Sequence, residues 1–93
     1  MTTAIILVNV ERPRIGEAAQ AILDLQDVTE VYSVSGSYDL VAVARVRESE
    51  RIAQLVTEEL AQVQGITKTE TLIAFRQYSR HDLERMFGLG AAG

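Results

Sequence analysis

The stretch from Val34 to Asp39, which reads Val-Ser-Gly-Ser-Tyr-Asp, is the feature that most constrains how this chain folds. It separates two apolar, β-rich runs, Val28–Ser33 and Leu40–Val46. Two such runs joined by a short Ser/Gly segment predict a β-hairpin, and Gly36 supplies the positive φ that such turns often need. Asp39 then stands at the start of the second strand, beside exposed turn amides. This position suits a small polar ligand, and it equally suits an Asp that only satisfies its own turn.

Hydrophobic periodicity predicts a strand and a helix on each side of the hairpin. Ala4–Val10 is rich in β-branched residues, as in a central strand. Apolar residues from Ile15 to Leu23, and again from Ile52 to Val63, follow the i, i+3, i+4, i+7 spacing of amphipathic helices. Ser49 is a predicted N-cap for the second helix, and Gly65 a predicted C-terminal stop. The predicted strands are 4–10, Asp27 to the Gly36 turn, 39–47 and 66–77, and the predicted helices are 15–23 and 50–63.

The order of elements is therefore β-α-β-β-α-β, followed by a short terminal helix in which Leu83, Met86 and Phe87 share one side. A trace of an internal repeat supports two β-α-β halves, because Leu25–Glu30 lines up with Val63–Lys68 at the two helix-to-strand junctions. Right-handed crossovers place both helices on one face of the sheet. The sequence thus predicts an α+β fold, a ferredoxin-like βαββαβ sandwich with a short C-terminal helix.

The first and third predicted strands are apolar on both of their faces. Ile5 and Leu7 alternate with Ile6 and Val8, and the run from Leu40 to Ala44 is apolar throughout. A sheet face in contact with water would alternate towards polar residues, and a large bare apolar sheet is an association site. We therefore expect the face without helices to pack on a second copy, in a two-fold dimer that resembles an α/β barrel.

Composition excludes several classes of function. The chain has 93 residues, which fits one domain, and it has no Cys, which excludes disulfide scaffolds, thiol nucleophiles and thiolate metal sites. The net charge of −4, without a basic stripe, argues against nucleic-acid binding. The apolar run at 4–8 is too short to span a bilayer and lacks the features of a signal peptide, so we expect a cytoplasmic protein. His81 is the only His, and no acid/base pair is evident, so we predict no enzymatic activity, no metal and no cofactor.

Two motifs carry a resemblance to a known family. Gly36–Leu40 resembles the Gly-x-Tyr-Asp-aliphatic segment of the Lrp/AsnC family, the leucine-responsive and asparagine-responsive regulators. Gln64–Thr71 is similar to that family's Pro-Gly-Val-x-x-Thr-x-Thr segment, with Gln64 in place of the usual Pro. The resemblance covers about residues 3–77 and implies the family's effector-binding (RAM) domain at 1–79, followed by a C-terminal helix and frayed tail at 80–93.

The resemblance also implies a function and a set of partners. Family regulators carry an N-terminal helix-turn-helix domain, whereas here the first strand follows Met1 almost at once. We therefore expect a stand-alone domain that senses small amino acids at subunit interfaces and acts in transcription regulation through partners, not by binding DNA. The expected partners are a small amino-acid effector, further copies of the chain in a homodimer and a ring such as a tetramer of dimers, and a full-length Lrp/AsnC relative. No membrane contact is expected.

The residues of the binding site are implied by the same resemblance. Backbone amides of the turn would hold the effector carboxylate, and Asp39 would face its ammonium group or orient the loop. Each candidate also has a structural interpretation, since Thr favours strands and Tyr38 could only pack across them. The candidate ligand-binding residues are Ser35, Gly36, Ser37, Tyr38, Asp39, Ser49, Thr69, Thr71, Leu72 and Ala74.

Three other classes of protein share this arrangement of elements. A dimeric α/β-barrel monooxygenase would need catalytic groups, but the single His81 lies in the tail and Trp is absent. An RNA-recognition sheet would need aromatic residues on strands one and three, which here are aliphatic. An ACT-like regulatory module also binds amino acids at interfaces. The fold alone does not separate these classes, whereas the paired Gly-x-Tyr-Asp and Thr-x-Thr motifs favour the Lrp/AsnC domain.

Overall fold

The computed structural model describes residues 1–80 and forms one sheet with a helical layer on one side. A single 3-10 turn precedes the first helix, and the second helix changes its winding along its length. The strands are β1 (Thr2–Val10), β2 (Val28–Ser33), β3 (Leu40–Val46) and β4 (Ile66–Ala74), and the α-helices are α1 (Ile15–Leu23) and α2 (Glu50–Gln54), with α2 continuing as a π-helical turn at Leu55–Glu59 and a 3-10 turn at Leu60–Gln62.

The sheet has the order β2-β3-β1-β4, and each neighbouring pair is antiparallel. Strands β1 and β3 are central, which explains why both runs are apolar on two faces. Buried residues of α1 and of the second helical segment join one core with alternate residues of these two strands. Both helices therefore cover the same face, and the predicted α+β, ferredoxin-like βαββαβ fold is confirmed. The expected C-terminal helix, including Leu83, Met86 and Phe87, lies outside the described residues.

The core is a single cluster between the sheet and the helices. On the sheet it is built from every second residue of the central strands, as their period of two requires. Three of its sheet residues, Ala4, Ala42 and Ala44, are small and completely buried, which lets the helices approach the sheet closely. On the helical side the buried residues are Ala18, Ile22, Ile52, Leu55 and Leu60.

The opposite face of the sheet, which we call the open face, has no helical cover. Strand partners point to the same side, so the register Ile5↔Val43 and Ile5↔Leu72 places these three side chains together. Leu7 and Val41 form a neighbouring pair on the same face. Leu72 is 44% exposed, and the other four are half-buried in the isolated chain. The predicted apolar character of both faces is therefore present in the structure.

Arg51, on α2, connects three parts of the fold. Its Nε donates to Asp27 Oδ2 at 2.9 Å, and its Nη2 donates to the carbonyl of Gln26 at 3.1 Å. The same guanidinium forms an ion pair with Glu59 in the π-helical turn, and its Nη1 donates to Gln54 Oε1 at 3.2 Å. The hydrogen bond from Arg51 lowers the pKa of Glu59. Arg51 thus joins the second helical segment to the start of β2.

Several predicted boundaries and roles are wrong in detail. Strand β2 begins at Val28, because Asp27 has φ 77°, which no strand accommodates. Strand β4 ends at Ala74, not at 77, since Ala74 pairs with Thr3 next to the start of β1. The periodicity places Leu23 in the buried stripe of the first helix, but it is 42% exposed.

The predicted helix ends also differ from the structure. Ser49 precedes α2 with helical dihedral angles and makes no capping hydrogen bond through its side chain. Gly65 has the expected positive φ, 93°, but it lies in the turn before β4, since the chain is already extended at Val63. A Cβ on Gly65 would lie 2.9 Å from Arg14 Cβ, so close packing as well as the dihedral angle requires glycine there. In the part of the chain that the structure describes, no helix is long and apolar enough to cross a membrane.

Candidate functional site

The β2–β3 connection, Val34–Asp39, is an ordered loop between the two hairpin strands. Val34 N donates to the carbonyl of Asp39 at 3.0 Å, which closes the loop. Gly36 has φ 116°, as its predicted role requires. Ser35, Gly36 and Ser37 are exposed at the tip. The loop therefore presents backbone groups of three small residues to the outside of the subunit.

Asp39 ties this loop to the end of β1. Its backbone N donates to the carbonyl of Val8 at 2.9 Å, and its Oδ2 accepts a hydrogen bond from Val10 N at 2.8 Å. Val10 N needs this partner because the β1–β4 register shifts between Asn9 and Val10. Within residues 1–80, the second carboxylate oxygen of Asp39 has no recorded hydrogen bond. The side chain thus has a structural role, and one of its oxygens is available to a ligand.

Tyr38 connects the loop to β4 across the end of β1. Its hydroxyl donates to Glu70 Oε1, and the ammonium nitrogen of Lys68 lies 5.8 Å from the centre of its ring. The hydrogen bond to the Glu70 carboxylate raises the pKa of Tyr38, so the hydroxyl remains a neutral donor at physiological pH. These contacts fix the direction in which the loop leaves the sheet.

The candidate residues on β4 lie on opposite faces of the sheet. Thr69 and Thr71 pair with Val8 and Ile6, so they lie on the helical side. Leu72 and Ala74 pair with Ile5 and Thr3 and lie on the open face. Thr69 is the member nearest the loop, since its partner Val8 accepts the backbone N–H of Asp39.

Ser49 and Ala74 lie at the far end of the sheet from the Val34–Asp39 loop. Ser49 follows the end of β3 at Val46, whereas Asp39 precedes its start. Ala74 pairs with Thr3, whose other neighbour Arg45 is also near the end of β3. A single chain therefore brings the loop and Thr69 together, but it does not bring Ser49 or Ala74 to them.

A family model for the Lrp/AsnC ligand binding domain matches residues 3–83. This match spans most of the chain. The chain belongs to the Lrp/AsnC family. It is 33% identical over 78 residues to PH1916 of Pyrococcus horikoshii, an uncharacterized HTH-type transcriptional regulator; the match covers 80% of this chain and 51% of that protein. The chain spans about half the length of the curated relatives that it matches.

Solved structures of other proteins share this fold. The protein TTHA0845 from Thermus thermophilus superposes with a TM-score of 0.80 at 42% identity, covering 86% of this chain and 100% of that one. A feast or famine regulatory protein from M. tuberculosis, complexed with L-methionine, superposes with a TM-score of 0.72 at 18% identity, covering 86% and 54%. The first match is similar in sequence as well as in fold, whereas the second shows the fold alone.

The curated relatives are named as HTH-type transcriptional regulators. Among residues 1–80, no group of three or more His, Asp or Glu side chains is placed to hold a metal ion.

Sequence reasoning missed one polar group of this Lrp/AsnC domain. Glu30, Tyr32 and Arg45 lie together on the open face, where Arg45 is near the end of β3 and Tyr32, two residues before the Val34–Asp39 loop, is nearest to that loop. The sequence does contain one signal for this group, because Arg45 interrupts an otherwise apolar strand. Side chains alternate between the two faces of a strand, so Arg45 lies on the same face as Val41 and Val43. The hydrogen bond that Glu30 accepts raises the pKa of Tyr32.

Proposed function

We propose that this chain is an oligomeric effector-binding domain that senses small amino acids at interfaces between its copies. The observation that carries the proposal is the loop of Tyr38 and Asp39, in a chain that belongs to a family defined by its ligand-binding domain. The loop offers exposed backbone at Gly36 and Ser37 and a carboxylate within the same few residues.

The chemistry of the loop suits a free amino acid. Such a ligand needs partners for both of its charges, since an unpaired charge is costly to bury. Amides of Gly36 and Ser37 donate to its carboxylate, and the second oxygen of Asp39 accepts from its ammonium group. The L-methionine complex of the M. tuberculosis protein, which has the same fold, supports an amino acid as the class of ligand.

One subunit supplies only part of such a pocket, because the tip residues are exposed and Ser49 and Ala74 lie at the far end of the sheet. A neighbouring copy would supply the remaining walls. The candidate residues Thr69 and Thr71 extend the surface from the loop along the helical side of β4, whereas Leu72 lies on the open face. Placing the ligand between copies lets it shift the assembly, since a ligand stabilises the state that it binds better.

The open face is the surface through which we propose that two copies pair. Ile5, Leu7, Val41, Val43 and Leu72 form an apolar centre there, and a second copy would remove it from water. At about 25 cal/mol per Å² of apolar area, even a modest interface of this kind stabilises a domain of 93 residues substantially.

We propose that the domain comprises residues 1–79 and that the segment 80–93 is a C-terminal helix that docks on its own subunit or on a neighbouring one. Larger rings, such as a tetramer of dimers, follow if the Val34–Asp39 loops meet between dimers. Regulation would then act through a partner that shares these interfaces, such as a full-length Lrp/AsnC relative.

The test of the amino-acid site is calorimetry against the twenty amino acids, with Asp39→Asn as the variant. Asn keeps a side-chain oxygen for Val10 N and removes the charge that would meet an ammonium group. We expect the affinity to fall about tenfold or more, as for a lost charge-assisted hydrogen bond. The matched control is Asp24→Asn, because Asp24 is an exposed carboxylate whose side chain contacts only Gln20 in the described part of the chain.

Two results would refute the proposed site. One is an unchanged affinity of the Asp39→Asn variant for the effector of the parent protein. The other is the absence of any heat of binding for all twenty amino acids at millimolar concentration. Either result would leave Asp39 as a purely structural residue that completes the end of β1.

A further inference from the structure

A second concave region lies on the open face, at the end of the sheet away from the Val34–Asp39 loop. This groove has a volume of about 440 Å³ and an apolar floor formed by Ile5, Val43 and Ala74. One wall is the chain that follows β4, from Phe75 to Gln77. Its size suits a small molecule, since ligand pockets have volumes of roughly 300–1,000 Å³.

The groove has more positively charged side chains than negatively charged ones, and the positively charged ones have fewer partners. Two arginines, Arg45 and Arg76, and one carboxylate, Glu30, line the groove. Glu30 already accepts the hydroxyl of Tyr32 and lies 3.6 Å from Arg45 Nη1. The groove therefore carries an excess positive charge, although the whole chain has a net charge of −4.

The two arginines have unused hydrogen-bonding capacity. The guanidinium of Arg45 makes one hydrogen bond, from Nη1 to Thr29 Oγ1 at 3.1 Å, in addition to its loose ion pair with Glu30. Arg76 has no ion pair or hydrogen bond through its side chain within residues 1–80. A guanidinium presents five N–H donors in a planar fork that matches a carboxylate. The groove therefore has N–H donors without acceptors, and an anion would supply those acceptors.

We propose that this groove binds a small carboxylate with an apolar body, the carboxylate between Arg45 and Arg76 and the hydrocarbon on Ile5 and Val43. Arg45 can be rearranged with little loss of stability, because an exposed ion pair such as Arg45–Glu30 contributes little to it. Tyr32 holds Glu30 in place, so Glu30 keeps its partner when Arg45 turns to the ligand. The groove gives no preference for a ligand with an ammonium group, since the two arginines beside the ligand carboxylate carry the same charge as that group.

This site is separate from the proposed amino-acid site and does not depend on it. The two arginines of the groove lie near the end of β3 and just after the end of β4, whereas the Val34–Asp39 loop precedes the start of β3. A second copy covering the centre of the open face would close over the groove, so an occupied groove would become part of the contact between copies. The competing occupant is the second copy alone, and the experiment separates the two.

The probe is 4-methylpentanoate, which has a carboxylate and a branched hydrocarbon body, titrated into the full chain by calorimetry. A ligand of this size is expected to bind with a dissociation constant on the order of a millimolar. The neutral control is 4-methylpentanamide, which has the same shape without the charge and is expected not to bind. Leucine is a third ligand in the experiment, and its added ammonium group should not raise the affinity for this groove.

The variants are Arg45→Met and Arg76→Met, with Arg47→Met as the matched control. Arg76 has no recorded partner among residues 1–80, so its replacement leaves the fold unchanged, and circular dichroism verifies this for each variant. Arg47 is exposed and does not line the groove. We expect about a tenfold loss of 4-methylpentanoate affinity for Arg45→Met and for Arg76→Met, and no change for Arg47→Met or for Asp39→Asn.

The proposal is overturned if the acid and the amide bind equally, or if neither binds at ten millimolar. It is also overturned if Arg45→Met and Arg76→Met leave acid binding unchanged while light scattering shows altered self-association, since the groove would then serve only the contact between copies. Failure of the amino-acid site would appear instead as insensitivity of amino-acid binding to Asp39→Asn.

Discussion

Replacing Arg51 with Met tests whether one side chain fixes the second helical segment on the sheet. Met keeps most of the aliphatic stem and removes the guanidinium, which contacts Asp27, Glu59, Gln54 and the carbonyl of Gln26. These partners lie in the turn before β2, in α2 and in the π-helical turn, so one substitution releases all three.

The magnitude follows from the environment of the ion pairs. The Arg51 side chain is 19% exposed, and the side chains of Asp27 and Glu59 are each 30% exposed. An exposed pair contributes about 0–1 kcal/mol, whereas breaking a buried one costs about 3–5 kcal/mol. Asp27 also has φ 77°, a conformation that costs about 1 kcal/mol and persists only when its surroundings impose it. We therefore expect Arg51→Met to lower the free energy of unfolding by about 2–3 kcal/mol, between the exposed and buried limits.

The assay is thermal unfolding by circular dichroism at one fixed protein concentration, because association shifts the apparent stability. For a domain of this size the expected loss corresponds to a fall in Tm of roughly 10–20 °C. Arg47→Met is the control, since it removes the same charge from an exposed position without a recorded ion pair in the described part of the chain. Equal Tm values for Arg51→Met and Arg47→Met would refute the structural role of Arg51.

Four further outcomes are expected. Arg51 holds the pKa of Glu59 below its usual value. The stability contributed by Glu59 is therefore present above the unfolded pKa of about 4.3 and is lost as the pH falls through the lower folded pKa. Chemical unfolding between pH 7 and pH 3 should show a smaller decline in the free energy of unfolding for Glu59→Gln than for the parent. Light scattering at micromolar concentration should show at least a dimer, and Val41→Lys, on the open face, should weaken it, whereas a monomeric parent would refute the pairing of sheets. Deleting residues 80–93 should lower Tm or change the size of the oligomer, and if neither changes the tail has no docking role. The chain of 93 residues should not bind duplex DNA specifically in a gel-shift assay, because its net charge of −4 opposes phosphate contacts; a sequence-dependent shift would contradict this.

The fold was predictable because its signals are periodic. The continuous runs of apolar residues in β1 and β3 predict central strands, and the apolar spacing of Ile52 and Leu55 predicts the buried side of the second helix. The end of β4 was not predictable in this way. Ile73 and Phe75 continue a strand-like pattern, but Ala74 pairs with Thr3 and β1 extends only one residue further, to Thr2, so almost no neighbouring strand remains beyond Ala74.

Long-range hydrogen bonds were the part that sequence patterns did not predict. Asp27 and Arg51 are 24 residues apart, and no period in the sequence connects them. The same holds for Asp39 and Val10, whose separation is 29 residues. At the candidate site, the turn and the φ of Gly36 followed from local chemistry, whereas the direction of Tyr38 towards Glu70 depends on the order of strands in the sheet.

If the Val34–Asp39 loop binds an effector as proposed, the bond between Asp39 and the end of β1 also affects how fast the loop captures that molecule from solution. A loop anchored at Val8, Val10 and Glu70 has lost much of its conformational entropy when the domain folds, so little remains to be lost on binding. Recognition by such a pre-organised loop does not wait for a slow rearrangement, and association is then limited by diffusion and by access between subunits. Variation in affinity among ligands would accordingly be found in their dissociation rates.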